Sequence, residues 1–335
     1  MQFQTNISLS HLHTFKVEAK ANLFCEINSE EDIVTLVKSA EFKENKWLIL
    51  GEGSDVLFTK DFDGLIIRDN IKGIDQVYEN DDFVWVKVSS GENWHSFVEH
   101  AVNSNWGGIE NLALIPGNVG ACPIQNIGAY GAEVQYTIHS LEVYNFEINE
   151  FEIILNEECG FGYRWSIFKE EENKNTYYIT SVTFQLSKKP EVNINYKDVQ
   201  EEIGKESPTI AEVFNAVVAI RTRKLPDPKK IGNAGSFFKN PYITKELFEQ
   251  LKKLFPELKG YEEADYVKLP AAQLIDMCGW KGKVMNDVGV YQNQALVLCN
   301  YGNAKGADVK QFAEQIQQSV KDKFGVDIHP EVNIY

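Results

Sequence analysis

Gly107-Gly108-Ile109-Glu110-Asn111-Leu112-Ala113-Leu114-Ile115-Pro116-Gly117-Asn118-Val119-Gly120-Ala121-Cys122-Pro123-Ile124-Gln125-Asn126-Ile127-Gly128-Ala129-Tyr130-Gly131 has neither the 3.6-residue period of a helix nor the alternation of a strand. It is rich in glycine, isoleucine, leucine and alanine, and its one charged residue is Glu110. An exposed linker would carry serine, lysine and glutamate, so the stretch reads as buried irregular backbone. Its N–H and C=O groups must find partners. A large polar ligand is an efficient partner, and long loops of this kind inside a domain are usually functional.

Upstream, the pattern is that of small α+β units. Residues 22–27 read as a strand, and Ser29 caps a helix with Glu30, Glu31 and Asp32 in its first turn. Trp47-Leu48-Ile49-Leu50 reads as a buried strand entering Gly51-Glu52-Gly53-Ser54-Asp55. A strand that ends in a Gly-rich loop suggests a dinucleotide-binding βαβ unit. That reading fails, because the motif needs a third glycine where Val56 stands and a helix where Val56-Leu57-Phe58 reads as β. The loop can still offer backbone N–H groups to a phosphate as a nest, although a tight β-turn explains it nearly as well. Strands follow at 64–68 and 83–88, then a helix from about Trp94 with Phe97, Val98, Ala101 and Val102 on one face.

Downstream, residues 141–155 alternate like an antiparallel hairpin, and Tyr177 to Leu186 is a strand. Cys159-Gly160-Phe161-Gly162-Tyr163-Arg164 places an arginine at the end of a Gly/aromatic loop, and Asn195-Tyr196-Lys197-Asp198 reads as a polar loop. A helix over about 209–222, with Phe214 counted on its inward face, runs into Arg221, Arg223 and Lys224. Leu225-Pro226-Asp227-Pro228 then stops the helix and marks a boundary. Beyond it, helices at about 244–255, 270–278 and 307–324 surround strands near 288–299, a smaller α/β domain, and 327–335 reads as a terminal strand. Gly232-Asn233-Ala234-Gly235-Ser236-Phe237-Phe238-Lys239-Asn240-Pro241 reads locally as a Gly-rich turn into a strand. Its hydroxyl walled by two phenylalanines is unusual for a plain turn. It lacks the G-x-S-x-G elbow of a serine hydrolase.

With 335 residues the chain suits two or three domains. A net charge of −16 opposes general nucleic-acid binding, which needs clustered cations. Cys25, Cys122, Cys159, Cys278 and Cys299 are scattered without a Cys-x-x-Cys pair, as for reduced thiols in the cytoplasm. The amino terminus lacks the basic and apolar regions of a signal peptide, and no apolar run approaches membrane-spanning length. The six histidines, His95 among them, read as solvated or core-edge groups, and no metal site is expected.

Taken together and in order, Gly51-Glu52-Gly53-Ser54, Pro123 to Gly131, Phe161-Gly162-Tyr163-Arg164, Lys224-Leu225-Pro226-Asp227-Pro228, Gly232 to Pro241 and Pro330-Glu331-Val332 resemble the UDP-N-acetylenolpyruvoylglucosamine reductase family. The resemblance implies an α+β, vanillyl-alcohol-oxidase-type (PCMH-type) fold. Two FAD-binding α+β subdomains, 1–70 and 71–222 with the terminal strand 327–335, would accompany a smaller α/β substrate domain, 223–326. It implies an NADPH-driven flavoprotein oxidoreductase of peptidoglycan synthesis, with FAD held non-covalently. That enzyme would be cytoplasmic and monomeric and would act on small molecules.

By the same match Ser236 supplies a proton, and Arg164 and Glu331 polarise the substrate carboxylate. Gly51, Glu52, Gly53, Ser54, Asp55, Ile115, Pro116, Gly117, Gly120, Ala121, Ile124, Gln125, Asn126, Gly128 and Ala129 would contact FAD. Tyr130, Tyr196, Arg221, Lys224, Asn240 and Gln294 would hold substrate, with Tyr196 marking the longer subclass in which that tyrosine covers the nucleotide. Three departures stand out. Asp55 replaces an expected Asn, Val119-Gly120-Ala121-Cys122 varies the flavin loop, and His13-Thr14-Phe15 replaces Asn-Thr-Phe.

Overall fold

The computed structural model describes every residue from Met1 to Tyr335, and the chain divides into two compact units. The first comprises Met1–Ile7, Asn22–Glu52 and Asp63–Arg223; the second comprises Ser8–Ala21, Gly53–Phe62 and Lys224–Tyr335.

Two sheets build the first unit. In the smaller, the strands run in the order Gln4–Ser8, Lys20–Ile27, Phe62–Asp69 and Trp47–Leu50. The apolar run Trp47-Leu48-Ile49-Leu50 pairs in parallel with Leu65 to Arg68. Ser29 caps the helix Glu30–Leu36, its side chain accepting from the Asp32 N–H, and Ile33 and Leu36 bury against Ile27, Leu65 and Ile67. The larger sheet is antiparallel, in the order Glu150–Leu155, Ile138–Asn145, Tyr177–Ser187, Phe83–Ser89 and Ile74–Glu79. Alternation along Phe83–Ser89 points Val84, Val86 and Val88 into a core shared with the helices Trp94–Asn103 and Ile210–Lys224. That helix from Ile210 buries Val213, Val217 and Ile220. Phe214 is only partly buried, at the edge of that core, where its ring stacks on His95.

The second unit holds an antiparallel sheet in the order Gly232–Ser236, Val297–Asn300, Val288–Val290 and Val284–Met285. A three-stranded sheet and the helices Lys245–Leu254, Ala271–Met277 and Gly306–Phe324 complete it. Phe237, Phe238, Leu274, Ile275, Phe312 and Ile316 share its core. Only Asn333–Ile334 of the expected terminal strand forms a ladder, in parallel with Val56–Leu57. The polar stretch read as a loop at 195–198 instead opens a short helix, Lys197–Ile203, whose first backbone bonds run from the Val199 and Gln200 N–H groups to Tyr196 O. No helix is long and apolar enough to cross a membrane.

Candidate active site

In the second unit, Ser236 ends the strand Gly232–Ser236 opposite Val297. Asn233 pairs with Cys299, so three residue steps on this strand face two on its partner: a β-bulge. Gly235 takes up the extra residue at φ +67, and nothing lies within 4 Å of where its Cβ would be. The bulge is braced from below. The Asn233 side chain is buried, accepts the Gly235 N–H at 3.0 Å and donates to Ile231 O at 2.8 Å. Phe237 and Phe238 then plunge into the core, which fixes Ser236 at its edge.

The chain end runs antiparallel to this loop. Phe238 bridges Pro330, the Glu331 N–H donates to Phe237 O at 2.8 Å, and the Lys239 N–H donates to His329 O at 2.9 Å. Ser236 and Glu331, far apart in sequence, are thus brought together around Phe237. Gln294 lies in the turn that precedes Val297, and the Phe237 N–H donates to Leu296 O in the same turn. Asn240 uses its Oδ1 to accept the Ala271 N–H at 2.9 Å, at the start of the helix Ala271–Met277. Its carbonyl oxygen is therefore committed to the fold. Lys224 is the last residue of the helix Ile210–Lys224 and opens the longest segment of this unit, Lys224–Tyr335.

The same unit explains two departures. Asp55 turns its carboxylate to the Asn333 amide at 3.1 Å, and its backbone O accepts the Asn333 N–H at the same distance. An acidic side chain is tolerated beside the glycine loop because it fastens the terminal strand. Gly53 sits at φ +63, where a Cβ would lie 2.4 Å from Leu12 O and 2.6 Å from His13 Cβ. His13 replaces an amide directly under this loop. Its Nε2 bonds Val17 O at 3.1 Å, its Nδ1 is buried without a partner, and burial holds its pKa down.

In the first unit, the stretch 107–131 is largely buried, with two 3-10 turns, Glu110–Leu112 and Val119–Ala121. Glu52 organises it, accepting from Asn93 Nδ2 at 2.6 Å and from the Gly117 N–H at 3.1 Å. These two bonds make the Glu52 carboxylate a brace of the loop. Arg68, whose side chain donates to Gly51 O, is the nearby cation, and burial lowers its pKa. Gly120 packs where a Cβ would lie 2.5 Å from Ser90 Cβ, and its N–H donates to Ser90 O at 2.9 Å. Pro116, Ala121 and Ile124 face outward while Gly117 and Asn126 are buried. The side-chain oxygens of Asn118 and Gln125 are buried without partners. A glycine-lined surface with outward apolar residues and orphaned acceptors fits a flavin nucleotide.

Arg164 occupies the left-handed region at φ +52, in the tight turn where Gly162 bridges Trp165. Its guanidinium donates to Gly128 O at 2.8 Å and to Asn126 O at 3.3 Å. Asn126 returns a bond to Gly162 O at 3.0 Å, so the arginine turn and the flavin loop are one hydrogen-bonded block. Asn111 Nδ2 donates to Tyr130 O at 3.0 Å and to Asn193 O at 2.9 Å, tying together the segments that carry Tyr130 and Tyr196. Those two rings meet edge to face at 5.2 Å. Burial raises the Tyr130 pKa, an effect that the Arg221 charge opposes, and Arg221 Nε is itself buried without a partner.

Asn111 and His95 were not singled out in the sequence as site residues. The available signal for Asn111 was a polar residue inside an otherwise apolar loop. For His95 there was none, because its Nδ1 accepts the Leu114 N–H at 3.1 Å only once the loop is folded against the helix.

These features define a FAD-binding oxidoreductase scaffold. A family model for a FAD-binding domain matches residues 21–146, and one for the UDP-N-acetylenolpyruvoylglucosamine reductase C-terminal domain matches 227–335. A reductase of that name from Flavobacterium johnsoniae is 48% identical over the whole of both chains. One from Bacteroides fragilis is 45% identical over 97% of each. The chain belongs to the UDP-N-acetylenolpyruvoylglucosamine reductase family. Its fold is that of the Thermus caldophilus reductase (TM-score 0.69, 22% identity, 100% of this chain and 99% of that one). A solvent-stable cholesterol oxidase shares the fold more distantly (TM-score 0.51, 10% identity, 97% and 86%). The architecture is therefore α+β of the vanillyl-alcohol-oxidase type.

Proposed function

We propose that the chain reduces the enolpyruvyl ether of UDP-N-acetylglucosamine to UDP-N-acetylmuramate, with Ser236 as the proton donor. The observation that carries the site assignment is the pairing of Glu331 with the Ser236 loop around Phe237. Held by the loops at 51–55 and 115–129, FAD would supply the hydride chemistry of the reaction, with NADPH as the source of the two electrons.

Hydride addition to an electron-rich enol ether is uphill unless the adjacent carboxylate takes up the developing charge. Arg164, pre-aimed by its bonds to Asn126 O and Gly128 O, supplies the cation for that carboxylate, and Glu331 its hydrogen-bonding partner. Ser236 gives its hydroxyl proton to the α carbon, and solvent restores it. Tyr130, Tyr196, Arg221, Lys224, Asn240 and Gln294 hold the nucleotide sugar, with Tyr196 as the movable cover. Residues 1–70 and 71–222 serve FAD and 223–326 the substrate. Burial of Cys122 in the core pushes its thiol pKa far up, which supports non-covalent FAD. The charge of −16 opposes a nucleic-acid partner and the five free thiols suit the cytoplasm, where we place the chain as a monomer acting on small molecules.

The test separates the half-reactions. Ser236→Ala leaves flavin reduction by NADPH near the parental rate and slows turnover by roughly 10²–10⁴. Equal loss in both half-reactions removes Ser236 from the proton step.

A further inference from the structure

We propose that His95 is a positioning residue for the cofactor: its Nδ1 accepts the Leu114 N–H and so fixes the turn that presents Ile115-Pro116-Gly117. The inference rests on the reading that this loop touches FAD. The Leu114 N–H reaches His95 Nδ1 at 3.1 Å, and Leu114 sits at φ +56, a conformation that residues with side chains rarely adopt. Backbone in that region persists only where its surroundings hold it there. The helix Trp94–Asn103 supplies the hold through its first two residues. Trp94 Nε1 donates to Leu112 O at 2.9 Å and the Trp94 N–H donates to Gly117 O at 2.9 Å, bracketing the His95 contact.

These three anchors differ in kind. Both Trp94 bonds use donors that do not titrate, whereas the His95 bond uses an acceptor that a proton abolishes. The imidazole must be neutral, with its hydrogen on Nε2. Its ring is clamped by Phe214, stacked at 5.6 Å with an interplanar angle of 7°. Two charged groups bear on it. Arg221, on the helix that carries Phe214, disfavours protonation, and Glu99, one turn further along its own helix, favours it. Burial, the largest influence, keeps the pKa below the ordinary value, so the acceptor is present near neutrality. Acidification removes it, strands the Leu114 N–H and loosens the loop.

FAD titration of the apoprotein, followed by flavin fluorescence, tests this in the parent, His95→Asn and His95→Phe from pH 8 down to pH 5.5. Asparagine places a carbonyl oxygen close to the Nδ1 position and cannot be protonated; phenylalanine keeps the stack and has no acceptor. The parent should lose affinity as pH falls, His95→Asn should stay near the pH 8 parental value throughout, and His95→Phe should be about tenfold weaker at every pH. Parental affinity and pH profile in His95→Phe overturn the proposal. So does His95→Asn binding as weakly as His95→Phe at pH 8, because an acceptor restored at that position would then recover nothing. A parent that binds no FAD at any pH overturns instead the cofactor assignment of the loop.

Discussion

At the scale of single residues, Ser236, the proposed proton donor, depends on glycines whose roles differ. Gly232 abuts Phe15, where a Cβ would lie 2.3 Å from the Phe15 backbone oxygen, so an added methyl must push two backbone segments apart. Gly235 has open space around its Cβ position and only its positive φ to protect. Gly235→Ala should therefore cost about 1 kcal/mol of stability and yield a folded, flavin-loaded protein with slowed turnover, because the bulge that sets Ser236 has moved. Gly232→Ala should cost about 3 kcal/mol or more. Denaturation midpoints and turnover of the two variants check the order, and equal destabilisation would contradict it. Sequence pattern marked the stretch as unusual, with a serine between glycines and phenylalanines, but locally it read as a turn, and the role proposed for Ser236 came from the family resemblance. It could not expose the bulge, because a one-residue slip against Val297–Asn300 is a property of pairing. It could not explain Asp55 either, whose partner Asn333 lies at the far end of the chain.

At the scale of elements, helices with capped, periodic sequences were readable to within a residue or two, as at Lys245–Leu254 and Gly306–Phe324. Edge strands with mixed faces, such as Ile74–Glu79, were not, because exposure on most positions leaves no alternation to read. The least legible feature was the support beneath the flavin loop. Asp69, the last residue of the strand Phe62–Asp69, is buried and accepts from Ser90 Oγ at 3.0 Å, and Ser90 O in turn receives the Gly120 N–H. Burial raises the Asp69 pKa from 3.8 to about 6, an effect its hydrogen bonds only partly offset. With the folded-state value above the unfolded one, the unfolded chain releases this proton first. The stability contribution therefore falls as pH rises from about 4 through about 6, and stays at its lowest above that. The full cost is on the order of 3 kcal/mol, about 1 of which develops between pH 5 and pH 7. Asp69→Asn escapes it. The stability of the variant relative to the parent should thus increase from pH 5 to pH 7, and a difference independent of pH would show that Asp69 ionises as freely in the folded state as in the unfolded chain.

At the scale of the whole molecule, one chain supplies both a scaffold suited to FAD and a separate unit in which the backbone of Glu331 bonds the residue after Ser236. Family membership over the full length makes the activity that of a flavin-dependent reductase. The composition opposed general nucleic-acid binding, and the charge-poor stretch 107–131 pointed to a large ligand before any fold was known. Neither could name the substrate; that came from motifs spread over the entire length. The most direct test is the visible spectrum of the purified protein under anaerobic conditions, first with NADPH and then with the enolpyruvyl ether of UDP-N-acetylglucosamine. The protein should be yellow, bleach on adding NADPH and recover its colour only when the ether is added. A colourless protein, or a bleached one that oxygen reoxidises and the ether does not, would contradict the account.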